Sequence, residues 1–457
     1  MIDIRFDLTS RDLQSAIDRM WKASADKILA IEEAFGPGAG APVFTVGGRY
    51  TSRGWTEWTQ GFQFGAALLQ FDATREAVFL DIGRTAVRDR MRHHLTHCGV
   101  HDHGFNNVST FGHLLRLARE GRYEAPAWEA AFLEQALCVS GAVQARRWTA
   151  LPDDLGFVHS FNGPHSLFAD TIRSMRSLGV AHLLGHALLD EHDERVSLLQ
   201  RLVQHARTTA EYNVYYGTGR DFYDVRGRVA HESIFNLNDG RYRCPNTQQG
   251  YSPFTTWTRG LSWVMLGFAE LLEFIGAVPD EAWDCVMPRA EVRAFMLEAA
   301  RASCDFFCEC TPVDGIPYWD TGAPNLHRLG DYLARPADPF NAWEPVDSSA
   351  AAIGCQGLLR LGRVLADDEP PAAERYRQAG LTVLQTLLNE PYVSTDARHQ
   401  GLLLHSVYHR PNGWDHIPDG RSVPCGEACM WGDYHLREAA LLAQRVGDAG
   451  GYWTFYE

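Results

Sequence analysis

The sequence predicts an all-α fold, an (α/α)6 barrel of six helical hairpins with long loops at one mouth, on three observations. Apolar residues recur at helical spacing over about a dozen segments, strand-like alternation is sparse, and the connections between helices range from short to more than twenty residues. A dozen helices in sequence pair into six hairpins, and hairpins wound in a ring give a closed double shell. The competing architecture, an open α-solenoid, would show self-similarity at a fixed short period, which this sequence lacks. No Pro/Gly/Ser-rich linker or charge run divides residues 1–457, so they are expected to form one domain.

Helices are expected near 10–35, 59–71, 73–97, 105–119, 126–145, 165–188, 191–213, 255–277, 288–310, 347–365, 370–388 and 428–446. Several carry start signals: "TSRDLQSAIDRMW" opens on a Thr-Ser cap, "EAPAWEAAF" has proline in the first turn, and "DDEPPAAERY" adds acids at the positive helix end. The best strand candidates are "GIPYW" (315–319) and "GLLLHSVYH" (401–409). Segments 214–254, 311–346 and 389–427 are long, rich in Gly, Pro, Asn, His and Tyr, and expected to crowd one mouth of the barrel.

Composition narrows the partners. A net charge of −15 argues against a nucleic-acid backbone, which needs a basic face. It does not exclude a small acidic ligand, because one arginine in a dry pocket holds a carboxylate at short range while the distant field is screened. Thirteen tryptophans suit either sugar stacking or core filling. Ten cysteines without a CxxC pair, and an opening "MIDIRFDLTSRDL" that is not a basic-then-apolar signal, point to a reducing cytoplasm. No apolar run approaches bilayer length, so no membrane is expected.

Three constellations could carry chemistry. The first is "HHLTHCGVHDHGF", residues 93–105, with five histidines, a cysteine and one aspartate. His93, His94 and His97 close an amphipathic run and suit the negative end of a helix, with Gly99 as a left-handed stop. A metal site would want a second ligand cluster, and "HSVYH" and "WDH" lack the HExxH or CxxC geometry. Asp102 in "HDHGF" could be a metal ligand, a cap or a catalytic acid, and no metal is expected. The second is Asp170, inside a helix flanked by Leu167, Phe168, Ile172 and Met175. It is either on the wet face or in an apolar pocket, where desolvation would raise its pKa toward that of a general acid. The third is "TQQGYSPFTTWTRGLSW", where Arg259 and Trp263 share a helix face beside Trp257, downstream of Gln249. An aromatic wall beside a guanidinium receives an anionic sugar, or is a cation–π pair in a helix seam.

"HDHGF", "ADTIRSM", "TQQGYSPFTTWTRGLSW", "GIPYWD", "VDSSAAAIG" and "CMWGDYHLREAALL" occur in this order in a chain that resembles the unsaturated glucuronyl hydrolases, glycoside hydrolase family 88, from about Trp55 to Leu442. The resemblance implies an (α/α)6 barrel that needs neither metal nor organic cofactor. It implies removal of a 4,5-unsaturated uronic acid from the non-reducing end of lyase-generated oligosaccharides, by protonation at C4 and addition of water at C5. Asp170 would be the general acid/base and Asp102 the aspartate that stabilises developing positive charge, so that one carboxyl needs a raised pKa and the other stays ionised. Trp58, His101, Trp148, His231, Gln249, Trp257, Arg259, Trp263 and Ser406 would contact substrate, Ser406 through the uronate carboxylate. The partner is then a small acidic oligosaccharide, and a homo-oligomer is compatible with the sequence. The chain departs from the family pattern at Gln248, where histidine is usual, at Pro253-Phe254, where an acidic pair is usual, and in a longer region after Ser406. A hydrolase of saturated uronides, and a non-catalytic sugar-binding barrel, are the alternatives.

Overall fold

The structure, a computed structural model, describes residues 1–36, 38–54, 57–447 and 451–457, with Glu57 described by its backbone alone. Its helices are α1 (Gln14–Ala34), α2 (Gln60–Thr74), α3 (Ala77–Asp89), a π-helix (Gly104–Gly112) running into α4 (His113–Arg119), α5 (Ala127–Arg146), the consecutive α6 (Thr171–Ser174) and α7 (Arg176–Leu183), α8 (Leu198–Tyr212), α9 (Thr258–Ala277), α10 (Arg289–Cys310), α11 (Ser348–Val364), α12 (Pro370–Leu387) and α13 (Met430–Gly447).

Contacts between these elements close a ring. α2 packs on the π-helix, the π-helix on α6 and α7, these on α9, α9 on α11, α11 on α13, and α13 back on α2. The remaining helices form an outer layer: α1 lies on α2 and α13, α3 on α2 and the π-helix, α5 on the π-helix and α7, α8 on α7, α10 on α9 and α8, and α12 on α11 and α13. This is an (α/α)6 barrel. Burial follows the layers, because an inner helix has protein on every side and an outer one on a single face. Every residue of α2 from Gly61 to Asp72 is buried, whereas α3 buries only Phe79, Gly83, Ala86 and Val87. By length and composition α9 could cross a bilayer, contrary to the expectation that no apolar run is long enough; 83% of its apolar window is buried, as an inner helix requires.

The ring closes most tightly on either side of the π-helix. A Cβ on Gly61 would stand 2.4 Å from the Asn106 Cα, and one on Gly104 would stand 2.5 Å from the Ser174 Cα. Backbone meets backbone at both points, so only glycine fits.

Several local expectations are corrected. The helix expected over 73–97 stops at Asp89, and His93 and His94 lie in a separate 3₁₀ turn, Arg92–Thr96. Gly99 is not left-handed, since its φ is not among the positive ones. His94 is buried with Nε2 2.9 Å from Gln60 Oε1, and burial, reinforced by His97 and His103, pushes it down to about 3, so it is a neutral ring rather than a cation at a helix end. The helix expected from 165 begins with a strand, Ser166–Phe168, which pairs antiparallel with Glu232–Phe235, itself paired with Tyr242–Asn246. The helix expected from 191 starts at Leu198, after a Ser197 hydroxyl that accepts from Gln200 N. "GIPYW" and "GLLLHSVYH" make isolated bridges, Tyr318 to Val346, Leu403 to Val393 and Leu404 to Ala428, rather than strands of a sheet.

Candidate active site

The inner helices present their N-terminal ends to one mouth. Trp58 precedes α2, Asp102 precedes the π-helix, Asp170 is the residue before α6, Trp257 the residue before α9, Asp347 the residue before α11, and Trp431 lies in the first turn of α13. Around them is a cavity of about 1120 Å³ whose lining includes Trp58, His101, Asp102, Asp170, Gln249, Trp257, Arg259 and Trp263. Eight residues singled out in the sequence therefore meet in one place. Of the long loops, 214–254 contributes Gln248 and Gln249 and 389–427 contributes Tyr408, His409, Asn412 and Trp414. Loop 311–346 braces from behind: Asp320 Oδ2 accepts from Tyr251 N at 2.8 Å.

Asp102 is fixed by the π-helix it opens, its carbonyl accepting from Phe105 N at 2.9 Å and Asn106 N at 3.0 Å. Asp170 is delivered where the strand Ser166–Phe168 gives way to α6, not inside a helix as expected. Both are 8% exposed, and His101 lies between them, with Nε2 3.4 Å from Asp170 Oδ1 and 3.8 Å from Asp102 Oδ1. Burial raises the Asp102 carboxyl above its ordinary value, and the Asp170 charge adds to this. Burial acts the same way on Asp170 but is outweighed by contact with and charge from His101, and then by His231 and Arg259, so Asp170 sits below its ordinary value. The expected electrostatic division of labour between the two carboxyls is thus inverted.

Arg259 is not a free anion receptor. One terminal nitrogen donates to Asp347 Oδ2 at 3.0 Å and to Val407 O; the other donates to Gln249 Oε1 at 2.8 Å and to Tyr408 O at 2.7 Å. Its guanidinium carbon lies 4.6 Å from the Trp257 ring centroid and 4.9 Å from that of Trp431. The cation–π contacts of the seam reading are present, and the side chain also holds the 407–408 backbone as pocket wall.

Three expected substrate residues do not line the cavity. His231 packs behind it, its ring 4.6 Å from Phe168 and 4.7 Å from Trp257, and its Nδ1 accepts from Gln248 N at 3.0 Å. Burial pushes it down to about 4, so it acts as a neutral acceptor that shapes the Gln248 turn. Trp148 pairs with Val158 in a hairpin that turns its indole under the Arg201 guanidinium, 4.9 Å away. Ser406 faces α11, its Oγ 3.0 Å from Ser348 Oγ, and Tyr408 and His409 take the wall position instead.

Sequence reasoning missed Arg53, Phe161, Asn162, Tyr408, His409, Asn412 and Trp414. Tyr408, His409 and Trp414 lie in the "HSVYH" and "WDH" segments, which drew notice as metal-ligand candidates, as part of a strand candidate and for Ser406, but not for these three side chains. Their rings form one cluster, Trp414 standing 5.2 Å from Tyr408 and 4.8 Å from His409, and Arg53 lies over Trp414 at 5.5 Å. Among the described residues no three His, Cys, Asp or Glu side chains are grouped to hold a metal ion.

Fold and site together define a closed helical barrel with an aromatic-walled, two-carboxylate pocket at the N-terminal mouth of its inner ring. The chain is similar to the unsaturated glucuronyl hydrolase of Bacillus sp. (strain GL1), 28% identical over 223 residues, which are 49% of this chain and 48% of that protein. It is also similar to the unsaturated chondroitin disaccharide hydrolase of Streptococcus pyogenes serotype M1, 27% identical over 208 residues, 45% of this chain and 41% of that protein. The chain therefore spans about half the length of these curated relatives in the matched stretch. The crystal structure of the Bacillus sp. GL1 unsaturated glucuronyl hydrolase shares the fold, with a TM-score of 0.71 at 22% identity over 95% of this chain and 97% of that one. No protein-family model matches the chain.

Proposed function

We propose that this chain is a glycoside hydrolase that removes a 4,5-unsaturated uronic acid from the non-reducing end of lyase-generated oligosaccharides by hydrating the C4=C5 enol ether. The observation that carries the reading is the pair of buried carboxylates, both within 4 Å of one imidazole, in an aromatic-walled cavity large enough for a disaccharide. The names of its relatives support the same substrate class.

In the reaction, Asp170 gives a proton to C4 and positive charge develops across C5 and the ring oxygen. Asp102 stabilises that charge as water adds at C5, and the Asp170 carboxylate takes the proton released by the water. The resulting hemiketal collapses, expelling the sugar partner and leaving a keto-uronate. Asp170 ends as it began, and one water is consumed. Trp58, Phe161, Trp257 and Trp414 supply stacking surface, and Gln249 and His409 supply hydrogen bonds. We further propose a reducing, cytoplasmic location, a reading supported by ten cysteines that are all free thiols.

The test follows the conjugated enol-ether absorbance as the protein meets unsaturated disaccharides produced by several lyases. Loss of the band with release of the partner sugar is expected. A persistent band, with release of a saturated uronate from other glycosides, overturns the proposal.

A further inference from the structure

His101 is placed as no other side chain in the pocket is. Its ring is 2% exposed and held in orientation by Phe161, stacked at 6.1 Å and 21°, and by Phe168, edge-on at 5.6 Å. Its Nε2 faces one oxygen of each carboxylate. Its Nδ1 is buried with no hydrogen-bond partner among the described residues, and the Asp170 Oδ1 is buried facing Nε2. A ring used only to bind a sugar hydroxyl does not need both carboxylates on the same nitrogen.

Resting on the proposed function, we propose that His101 is the proton reservoir of this pocket: at rest it holds the proton that Asp170 delivers to substrate, passing it from Nε2 to Oδ1 across the 3.4 Å contact. The steps balance. At rest the pair is imidazolium and carboxylate. Transfer leaves neutral imidazole and a carboxylic acid, whose O–H bond breaks as the C4–H bond forms. When water adds at C5 its proton goes to the Asp170 carboxylate and returns to Nε2. His101 acts through Asp170 and is a positioning residue.

The charges around the ring support this. Asp102 and Asp170 face it as anions, Arg147 opposes them more weakly, and burial pulls down; the net is a His101 raised above its ordinary 6.5. Three further histidines sense it, His159, His205 and His231, and burial pushes His205 to about 3 and His231 to about 4, so neither competes for the proton. The same arrangement explains how Asp170, held ionised in the free protein, can be the acid in the reaction.

The test reads the proton directly. In protein labelled with ¹³C-histidine, the His101 resonance is titrated in the wild type and in Asp170→Asn. The midpoint is expected above 6.5 in the wild type and lower in the variant, which has lost the Asp170 charge. In parallel, the pH profile of kcat is compared for wild type and His101→Gln. Without the imidazole the proton rests on Asp170 alone, so the alkaline limb is expected to move toward acid. A His101 midpoint at or below 6.5, one unmoved by Asp170→Asn, or an alkaline limb unchanged in His101→Gln overturns the proposal. The titration needs no turnover and no folded His101 variant. A protein that cleaves none of the disaccharides therefore defeats the proposed function while the titration still decides the coupling.

Discussion

Replacing Arg259 by lysine separates two jobs a guanidinium can do in a sugar pocket. If it binds the uronate, lysine keeps the charge and loses only geometry. If it builds the wall, lysine fails structurally, because an ammonium is a point donor that cannot span four acceptors. Arg259 is 2% exposed and donates to Asp347, Gln249, Val407 O and Tyr408 O. A lysine at that position reaches Asp347 and preserves the ion pair, leaving the Tyr408 carbonyl and the Gln249 oxygen unpaired. Gln249 faces the cavity and is rehydrated. The buried Tyr408 carbonyl is not, and an unsatisfied buried acceptor costs about 1–3 kcal/mol. With entropy of unfolding near ~2 cal/mol/K per residue, a chain of this length loses roughly 1 °C of Tm per kcal/mol. We expect a fall of about 2 °C by calorimetry. Tyr408, His409 and Trp414 also shift, and a displacement of about 1 Å at a reacting site lowers the rate by about 10²-fold. kcat is therefore expected to fall together with Tm. Arg259→Met is expected to lose more, about 3–5 kcal/mol, because Asp347 is left buried and unpaired. An Arg259→Lys protein with unchanged Tm and kcat and a raised KM would refute the wall argument and return Arg259 to direct binding.

Three further outcomes are expected. Asp170→Asn should fold normally and lose about 10²–10⁴-fold in kcat while still binding substrate, measured by steady-state kinetics and calorimetric titration; normal turnover would remove Asp170 from the reaction. Gly104→Ala should lower stability by about 1–3 kcal/mol in thermal unfolding, since the new methyl meets the Ser174 backbone rather than a side chain that can move. Stability should fall as pH drops below about 6.5. Burial holds His94, His205 and His435 each down to about 3, so between those values the unfolded chain binds protons the native chain does not, and stability rises with pH by up to about 1.4 kcal/mol per unit for each ring. Flat urea stability between pH 4.5 and 6.5 would show these rings to be charged in the native state.

The inner ring was legible because all-round burial leaves an unbroken apolar record: α9 and α11 lie within three residues of where periodicity put them. The outer helices were legible for the complementary reason, a single apolar stripe. What periodicity could not reveal was the short strand Ser166–Phe168, since a three-residue buried strand before a helix reads as one more turn of that helix. The π-helix was equally hidden, because a register of five differs from one of four by where carbonyls point, not by which residues are apolar. In the site, the resemblance to a known family gave Asp102 and Asp170 their roles, and Asp170 was legible as a carboxylate among apolar neighbours and Asp102 as one between two histidines. Their electrostatic order was not, because it depends on which oxygen His101 Nε2 approaches, a fact of distance. Ser406 misled for a similar reason: the segment was right, but Arg259 holds the carbonyls of Val407 and Tyr408, and Tyr408 and His409 line the cavity instead.

The direction of the inner helices resolves an apparent conflict between a net charge of −15 and an acidic ligand. Exposed charges more than about 8–10 Å away are screened at physiological salt, so the overall sign of the protein reaches the pocket weakly. What reaches it is local. The N-terminal ends of the ring helices converge there, bringing the positive ends of their backbone dipoles, and Arg259 lines the same cavity. Two carboxylates stand against that field, and His101 Nε2, 3.4 Å from Asp170 Oδ1 and 3.8 Å from Asp102 Oδ1, answers their charge. The pocket thus has somewhere to put an anion because its own anions are already answered. On the proposed function, a third carboxylate brought by substrate would raise the proton affinity of His101 and Asp170 further, so that binding itself would favour the protonated acid.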